Sequence, residues 1–367
     1  MKPVLFVTGH APAYRVGAFA SLHEREGIEL ALFGGRSTHG GPEHAGQLQI
    51  PHRHVTPREL WRLAASGRYR AVVCPTGGRL APLAGWTGAR RSGVPLILWA
   101  SLWAHPASVT HALTYLPLRR LYRSADAVVT YGPHVSAYVG ARGARNVHVA
   151  PQSVDNAFWR APAPGPPSAP EWPSPPATRF VFVGRPAREK GADVLLAAWR
   201  RSGLKPPAGA LVMVGSTNAP GHDDRSTSAA GQAPGVTTLG AVPPEELRRI
   251  YAAAEVLVVP SIPTPTFREP WGLVVNEAMN RGLAVIASDA VGAAAGGLVR
   301  DGHNGLVVAA GDSAALAGAM VRLADDAEAR TRMGAAGAED VRAYDHDAWA
   351  QGFSDALASV NVSRGRW

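Results

Sequence analysis

The chain is poor in thiol and in lysine. Cys74 is its sole cysteine, which excludes an intrachain disulfide and a thiolate metal cluster. Lys2, Lys190 and Lys205 are the only lysines, so nearly all of the positive charge is arginine. No apolar run approaches the length needed to cross a bilayer. The opening Met1-Lys-Pro-Val-Leu-Phe-Val-Thr8 lacks the long apolar stretch and cleavage site of a secretory leader, so it reads as a strand. The expected compartment is the cytoplasm, extending to the inner face of the membrane. Charged residues make up 18% of the chain against 46% hydrophobic ones, which excludes a disordered polyelectrolyte and leaves a globular protein.

The 367 residues exceed one ordinary domain and allow two, each with a sizeable core. Apolar runs at 4–7, 30–33, 71–74, 96–99, 127–129 and 147–150 alternate with helical stretches. A second series starts at Phe180 and recurs at 210–214, 236–239, 256–259, 284–287 and 306–308. This alternation predicts an α/β chain of two Rossmann-like, doubly wound parallel-sheet halves covered by helices on both faces. Between them, residues 161–177 hold eight prolines, which can continue neither a helix nor a central strand. The expected organisation is therefore an N-terminal domain over 1–160, a linker over 161–177, a C-terminal domain over 178–344 and a terminal segment over 345–367. Trp349, Phe353 and Leu357 give that last segment the spacing of an amphipathic helix.

The most informative stretch is Glu269-Pro-Trp-Gly-Leu-Val-Val-Asn-Glu277, two carboxylates with a helix start between them. Pro270 suits a first helical turn, and Gly272 leaves the backbone open where orphan amides point outward. Such an N-terminus stabilises a phosphate without metal. Glu269 is placed to accept hydroxyls of a sugar, and Glu277 those of a ribose. The same residues also fit an ordinary amphipathic helix with acids near its start, so this stretch alone leaves both readings open. Upstream, Arg179-Phe-Val-Phe-Val-Gly-Arg185 reads as a buried strand running into Pro186-Ala-Arg-Glu-Lys190-Gly191 and the helical Ala192-Asp-Val-Leu-Leu-Ala-Ala-Trp199. Strand, glycine-bearing loop and helix start form a phosphate-binding device, with Arg185 and Lys190 reaching from the loop.

With these residues in view, the chain resembles the retaining glycosyltransferases of family 4, which have the two-domain GT-B fold. The resemblance rests on Gly184-Arg185 with Lys190-Gly191, and on Leu239-Gly240 followed by Glu246-Leu247 and Tyr251-Ala-Ala-Ala-Glu255. It continues through Val259-Pro-Ser261, the Glu269/Glu277 pair, Ala278-Met-Asn-Arg-Gly282, Val285-Ile-Ala-Ser288 and Asp301-Gly-His-Asn-Gly-Leu-Val-Val308. It covers most of the C-terminal half in order and is weaker in the N-terminal half. The resemblance implies two Rossmann-like domains facing a cleft, with the terminal helix returning to the N-terminal domain.

It further implies that Arg185 and Lys190 neutralise the diphosphate of a nucleotide-sugar donor, and that backbone amides of Gly272, Leu273 and Val274, beside Trp271, bind the distal phosphate. Glu277 would hold the ribose and Glu269 the donor sugar, while Gly240 and Val242 would offer backbone groups to the base. A loop near 216–235, rich in Gly, Ser and Thr, would lie over the cleft; as residues it fits a surface insertion equally well. The implied chemistry is retaining transfer of a sugar from a UDP- or GDP-sugar to a hydroxyl acceptor, with a diphosphate oxygen taking the acceptor proton. The nucleotide-sugar is a co-substrate; no cofactor and no metal are expected.

In the N-terminal half, Gly9-His-Ala-Pro-Ala-Tyr-Arg15-Val-Gly17 is expected as a loop ahead of the helix bearing Phe19 and Leu22, with Gly17 near the donor and Arg15 near the acceptor or a surface carboxylate. Family members often carry paired glycines there, and this chain does not. His105 follows a buried strand where the family places a histidine near the donor sugar, with His111 as the rival. Asp345-His-Asp347 superficially resembles a metal-binding Asp-x-Asp but reads as a helix cap.

The net charge of +9 invites a nucleic-acid partner, yet no nucleic-acid-binding motif is present and none is expected. Leu113, Leu116, Leu118 and Leu121 beside Arg119, Arg120 and Arg123 suit peripheral contact with anionic lipid, or equally a core-facing helix with a basic outer side. Two rival functions stay open: another GT-B enzyme, such as a phosphorylase or a sugar-nucleotide epimerase, and a non-catalytic nucleotide-sugar or membrane-surface binding protein.

Overall fold

The computed structural model describes residues 2–34, 48–78, 80–163, 165–168, 172, 178–215 and 233–364. They form two compact units, one of Met1–Asp155 with Tyr344–Trp367 and one of Asn156–Ala343. Much of the proline-rich segment, and the stretch 216–232, lie outside the described residues.

The first unit is a seven-stranded parallel sheet: β1 (Val4–Thr8), β2 (Ile28–Leu32), β3 (His52–His54), β4 (Ala71–Pro75), β5 (Leu96–Ala100), β6 (Ala127–Thr130) and β7 (Val147–Val149). Their order across the sheet is β3-β2-β1-β4-β5-β6-β7. All but one of these strands match apolar runs of the sequence. The exception, β3, is His52-Arg-His54, exposed at all three positions, and an edge strand needs no apolar pattern. The helices are α1 (Ala13–Glu26), α2 (Pro57–Ala64), α3 (Ala81–Ser92), α4 (Val109–Ser124) and α5 (Pro133–Gly140).

Alternate residues of β1 feed two cores. Val4 and Phe6 join α1 and the terminal helix His346–Arg364 on one face, while Leu5 and Val7 join α2 to α5 on the other. The first core is an aromatic nest of Phe6, Phe19, Trp99, Trp349 and Phe353, with ring centroids 4.5 Å apart for Trp349 and Phe353 and 5.5 Å for Phe6 and Phe19. Edge-to-face pairs dominate it, as the ring quadrupoles favour. The terminal helix is thus an integral layer of this unit. Gly17 has a packing reason within it: a Cβ there would stand 2.4 Å from His346 Nδ1.

The second unit is a six-stranded parallel sheet of β8 (Thr178–Val183), β9 (Gly209–Val214), β10 (Val236–Leu239), β11 (Val256–Val259), β12 (Ala284–Ser288) and β13 (Gly305–Val308), in the order β10-β9-β8-β11-β12-β13. Its helices are α6 (Asn156–Arg160), α7 (Ala192–Ser202), α8 (Pro244–Ala253), α9 (Val274–Asn280), α10 (Gly292–Ala295), α11 (Ser313–Asp325) and α12 (Ala327–Asp340). Phe180 and Trp199 meet edge to face at 5.9 Å in its core. The sequence boundary at 160 and the contact boundary after Asp155 differ by α6, which joins the second unit through Asn156, bonded by Asn280 Nδ2 at 2.7 Å, and through Trp159, 5.7 Å from the Tyr251 ring.

Two local expectations are corrected. Arg15 and Gly17 lie inside α1 rather than in the loop before it, because Pro12 in extended geometry already starts the helix at Ala13. Pro270 lies outside α9, which starts at Val274, because Glu269 pairs as an isolated bridge with Val291 and holds the chain extended there.

Trp349 is fully buried in the aromatic nest, so Trp349→Ala should destabilise the first unit by about 3–5 kcal/mol. A urea titration followed by fluorescence should show the loss as a lower midpoint, and an unchanged midpoint would mean that the terminal helix does not hold this unit together.

Candidate functional site

Strand order places a site before any side chain is considered. From β8 the chain steps outward to β9 and β10, then returns across the sheet to β11 on the other side of β8. Loops leaving the carboxyl ends of two strands on either side of such a reversal diverge and leave a crevice. Here those loops are 184–191 after β8 and 260–273 after β11. They are braced against each other where Ile262 N–H donates to the Glu189 carbonyl at 2.9 Å, and the second loop is tied to the end of β12 by Ser288 Oγ donating to the Ser261 carbonyl at 2.5 Å. Gly191 has φ +71°, and a Cβ there would lie 2.0 Å from the Pro260 carbonyl, so only glycine permits this approach.

Lys190 and Glu269, 79 positions apart, meet in this crevice with Nζ to Oε2 at 2.5 Å. Their side chains are 23% and 9% exposed, so the pair is largely withdrawn from water. Arg185 is paired with Glu189 at 2.5 Å but remains half exposed. Both loop cations are therefore held by carboxylates, and neither is a simply solvated charge. The Glu269 backbone is pinned as well, its carbonyl accepting from Gly292 N–H at 3.1 Å.

Glu277 sits in the first turn of α9 and accepts a hydrogen bond from Tyr251 Oη at 3.0 Å. Burial pushes its carboxyl up to about 7, against the smaller lowering effect of the tyrosine hydroxyl. Burial first, and then the Glu277 charge, raise the Tyr251 phenol well above its ordinary value, so it stays a donor. The sequence motif contains Tyr251 without revealing this partnership, because a tyrosine at the end of an amphipathic helix is read as core.

Gly240 lies just beyond β10, its carbonyl accepting from Gly215 N–H at 3.2 Å, while Gly184 N–H donates to the Val214 carbonyl at 3.0 Å. The ends of β8, β9 and β10 are thus knit together by backbone alone, with Val242 two residues on. Trp271 is buried and donates through Nε1 to Asn276 Oδ1 at 2.8 Å, so its ring belongs to the core. Gly272, with φ +92°, turns the chain into Leu273, the N-cap residue, and Val274. Because α9 has only seven residues, its local amides rather than a long-helix dipole make up what it offers to an anion.

The remaining sequence-predicted residues belong to the first unit. Arg15 is 3% exposed, donates to Gln152 Oε1 and stacks over Trp99 at 5.2 Å and Trp349 at 5.4 Å. It also hydrogen-bonds the Tyr131 hydroxyl, so these partners are neutral groups rather than a surface carboxylate. His105 approaches Tyr138 Oη at 3.3 Å and the Tyr115 ring edge to face at 5.1 Å. The side chain of His111 lies outside the described residues. Asp345 Oδ1 accepts from Ala348 N–H at 2.7 Å as a helix cap, and Asp347 binds Ser21 at 2.6 Å and Arg25 at 3.1 Å.

Residues 177–326 match the family model of the glycosyl transferases group 1. Among curated proteins, the chain is 35% identical over 191 residues to the D-inositol 3-phosphate glycosyltransferase of Corynebacterium aurimucosum, covering 50% of this chain and 41% of that one. It is 32% identical over 223 residues to the enzyme of the same name from Segniliparus rotundus, covering 56% and 48%. The chain thus spans less than half the length of these relatives. Among solved structures, Anabaena HepE in complex with UDP and glucose superposes with a TM-score of 0.74 over 98% of this chain and all of that one, at 18% identity. Sucrose-phosphate synthase from Thermosynechococcus elongatus superposes with a TM-score of 0.72 over 99% of this chain and all of that one, at 22% identity. Two parallel-sheet units and these superpositions give the chain the GT-B fold, and its second unit is similar in sequence to the glycosyl transferases group 1.

Proposed function

We propose that the chain transfers a sugar, with retention of anomeric configuration and without metal, from a UDP- or GDP-sugar to a hydroxyl acceptor. The observation that carries this reading is the meeting of Lys190 and Glu269 at the reversal of the second sheet. A diphosphate is the anion that Lys190 and Arg185 suit, and charge growing on it as it leaves is stabilised by cations fixed beforehand. Glu269 then serves two states: it holds Lys190 in place while the site is empty, and it accepts sugar hydroxyls when the donor is bound. Glu277 takes the ribose diol, and the amides of Gly272 to Val274 take the distal phosphate. Retention follows if the acceptor oxygen attacks from the side the diphosphate leaves, passing its proton to a diphosphate oxygen as the new glycosidic bond forms and the old one breaks. His105, Gly17 and Arg15 are assigned to the donor sugar, the donor and the acceptor by the family resemblance alone. The names of the curated relatives make an inositol phosphate the first acceptor to try.

The two cations call for different tests. Removing Lys190 takes the ammonium away from the largely buried Glu269 carboxylate, so Lys190→Ala should cost stability as well as binding. Arg185 is half exposed and its pair with Glu189 contributes little to folding. Arg185→Ala should therefore keep its melting temperature while weakening UDP-glucose or GDP-mannose binding roughly ten- to hundredfold by calorimetry. Unchanged affinity for every nucleotide-sugar tried would remove the diphosphate role. Donor turnover that requires inorganic phosphate, or that proceeds without acceptor, would point instead to a phosphorylase or an epimerase.

Glu277 generates a pH dependence. Its folded-state value of about 7 lies above the ordinary 4.5, so the protonated form is favoured in the empty fold, and that contribution to stability is lost as pH rises through about 7. Ribose hydroxyls donate to the ionised form, so donor binding should release a proton. Affinity for UDP-glucose, whose own phosphates do not titrate here, should rise about tenfold between pH 6 and pH 8. Calorimetry in buffers of different ionisation heat measures the proton directly. A wild-type profile as flat as that of Glu277→Gln would separate Glu277 from the donor.

A further inference from the structure

The net charge of +9 has an address. Residues 57–124 hold ten arginines, no lysine, no aspartate and one glutamate, Glu59, so this stretch carries the whole excess and the rest of the chain is balanced. It spans α2, α3 and α4: α2 and α3 pack together, and side chains of all three feed the same core on one face of the first sheet. Glu59 itself is engaged in the capping box of α2 with Thr56. Arg68 and Arg70 are matched by Glu29 at 3.9 Å and Glu26 at 2.5 Å. Among the described residues, no ion pair is formed by Arg58, Arg90, Arg91, Arg119, Arg120 or Arg123.

The same layer carries most of the unit's misplaced apolar surface. Leu113 is 75% exposed, Leu116 68%, Leu80 55%, Leu83 51% and Trp61 42%. On α4, Leu118 and Leu121 pack into the core, while Leu113, Leu116, Arg120 and Arg123 stand exposed at the spacing of one outer stripe. Between α2 and α3, Trp61, Leu80 and Leu83 line a groove flanked by Arg58 and Arg62. Exposed leucines are a cost in water, and a polyanion read through its phosphates does not need them. Arginine beside tryptophan and leucine on one face fits the headgroup and upper acyl region of an anionic membrane.

We propose that the outer face of α2, α3 and α4 docks this protein on an anionic lipid bilayer, with Leu113 and Leu116 entering the acyl boundary and the arginines meeting lipid phosphates. Flotation of the full chain with vesicles tests it. Vesicles of phosphatidylcholine and phosphatidylglycerol in equal parts should carry the protein, and phosphatidylcholine alone should not. Arg120→Ser with Arg123→Ser should lower the partition coefficient about thirtyfold, each arginine being worth about fivefold near such a surface. Leu113→Ser with Leu116→Ser should lower it about tenfold or more while leaving retention on heparin unchanged. Leu80→Ser with Leu83→Ser is an independent second probe, and thermal melts establish that each variant is folded. No flotation, equal flotation with both vesicles, or leucine variants that bind like the parent while duplex DNA binds as tightly as vesicles would overturn the proposal, the last outcome in favour of a nucleic-acid surface.

Discussion

A charge pair taken out of water is worth keeping only where its partners are held in register, and the Lys190 to Glu269 contact shows what that demands of the second unit. One partner leaves β8 and the other follows β11, so neither strand can shift without separating them. Gly191 must be glycine for its loop to lie on the Pro260 carbonyl, and the Glu269 backbone must stay pinned by Gly292. The pair in turn keeps two opposite charges at the mouth of the crevice, ready to be redistributed when an anion enters. Under the proposed function the resting contact is also a store of preorganisation, since Lys190 need not be gathered from solvent when the donor binds.

Glu277 represents the opposite choice. Its carboxyl is buried beside a hydroxyl rather than a cation, which leaves its protonation balanced near neutrality. Two glutamates eight positions apart thus carry different chemistry because one faces an ammonium and the other a phenol. In the first unit the Arg15 guanidinium is placed between aromatic faces, a glutamine and the Tyr131 phenol, where flat stacking adds to neutral hydrogen bonds.

Charge is distributed as unevenly as burial. The second unit uses its cations singly at a sheet reversal, whereas the first concentrates arginine on one helical layer beside exposed leucine. Under the two proposals these patterns suit different partners, a small anion that needs convergent groups and an extended one that needs a broad face.

Much of this was legible in the chain itself. Period and length of the apolar runs marked twelve of the strands, most of them buried on both faces and therefore largely apolar, whereas β3, an exposed edge of His52-Arg-His54, left no such mark. Lys190, Glu269 and Glu277 stood out as residue types in a suitable local pattern. The start of α9 falls a few residues beyond Pro270, since a proline suited to a first turn gives no notice of a bridge from Glu269 to Val291. Sequence by itself determined the fold class and the loops that carry charge, for those depend on local spacing and composition. Only the tertiary structure decided that Lys190 would meet Glu269, that Tyr251 would meet Glu277, that Arg15 would be buried and that the leucines of α4 would divide between core and surface, because each depends on groups brought together from distant parts of the chain by strand order.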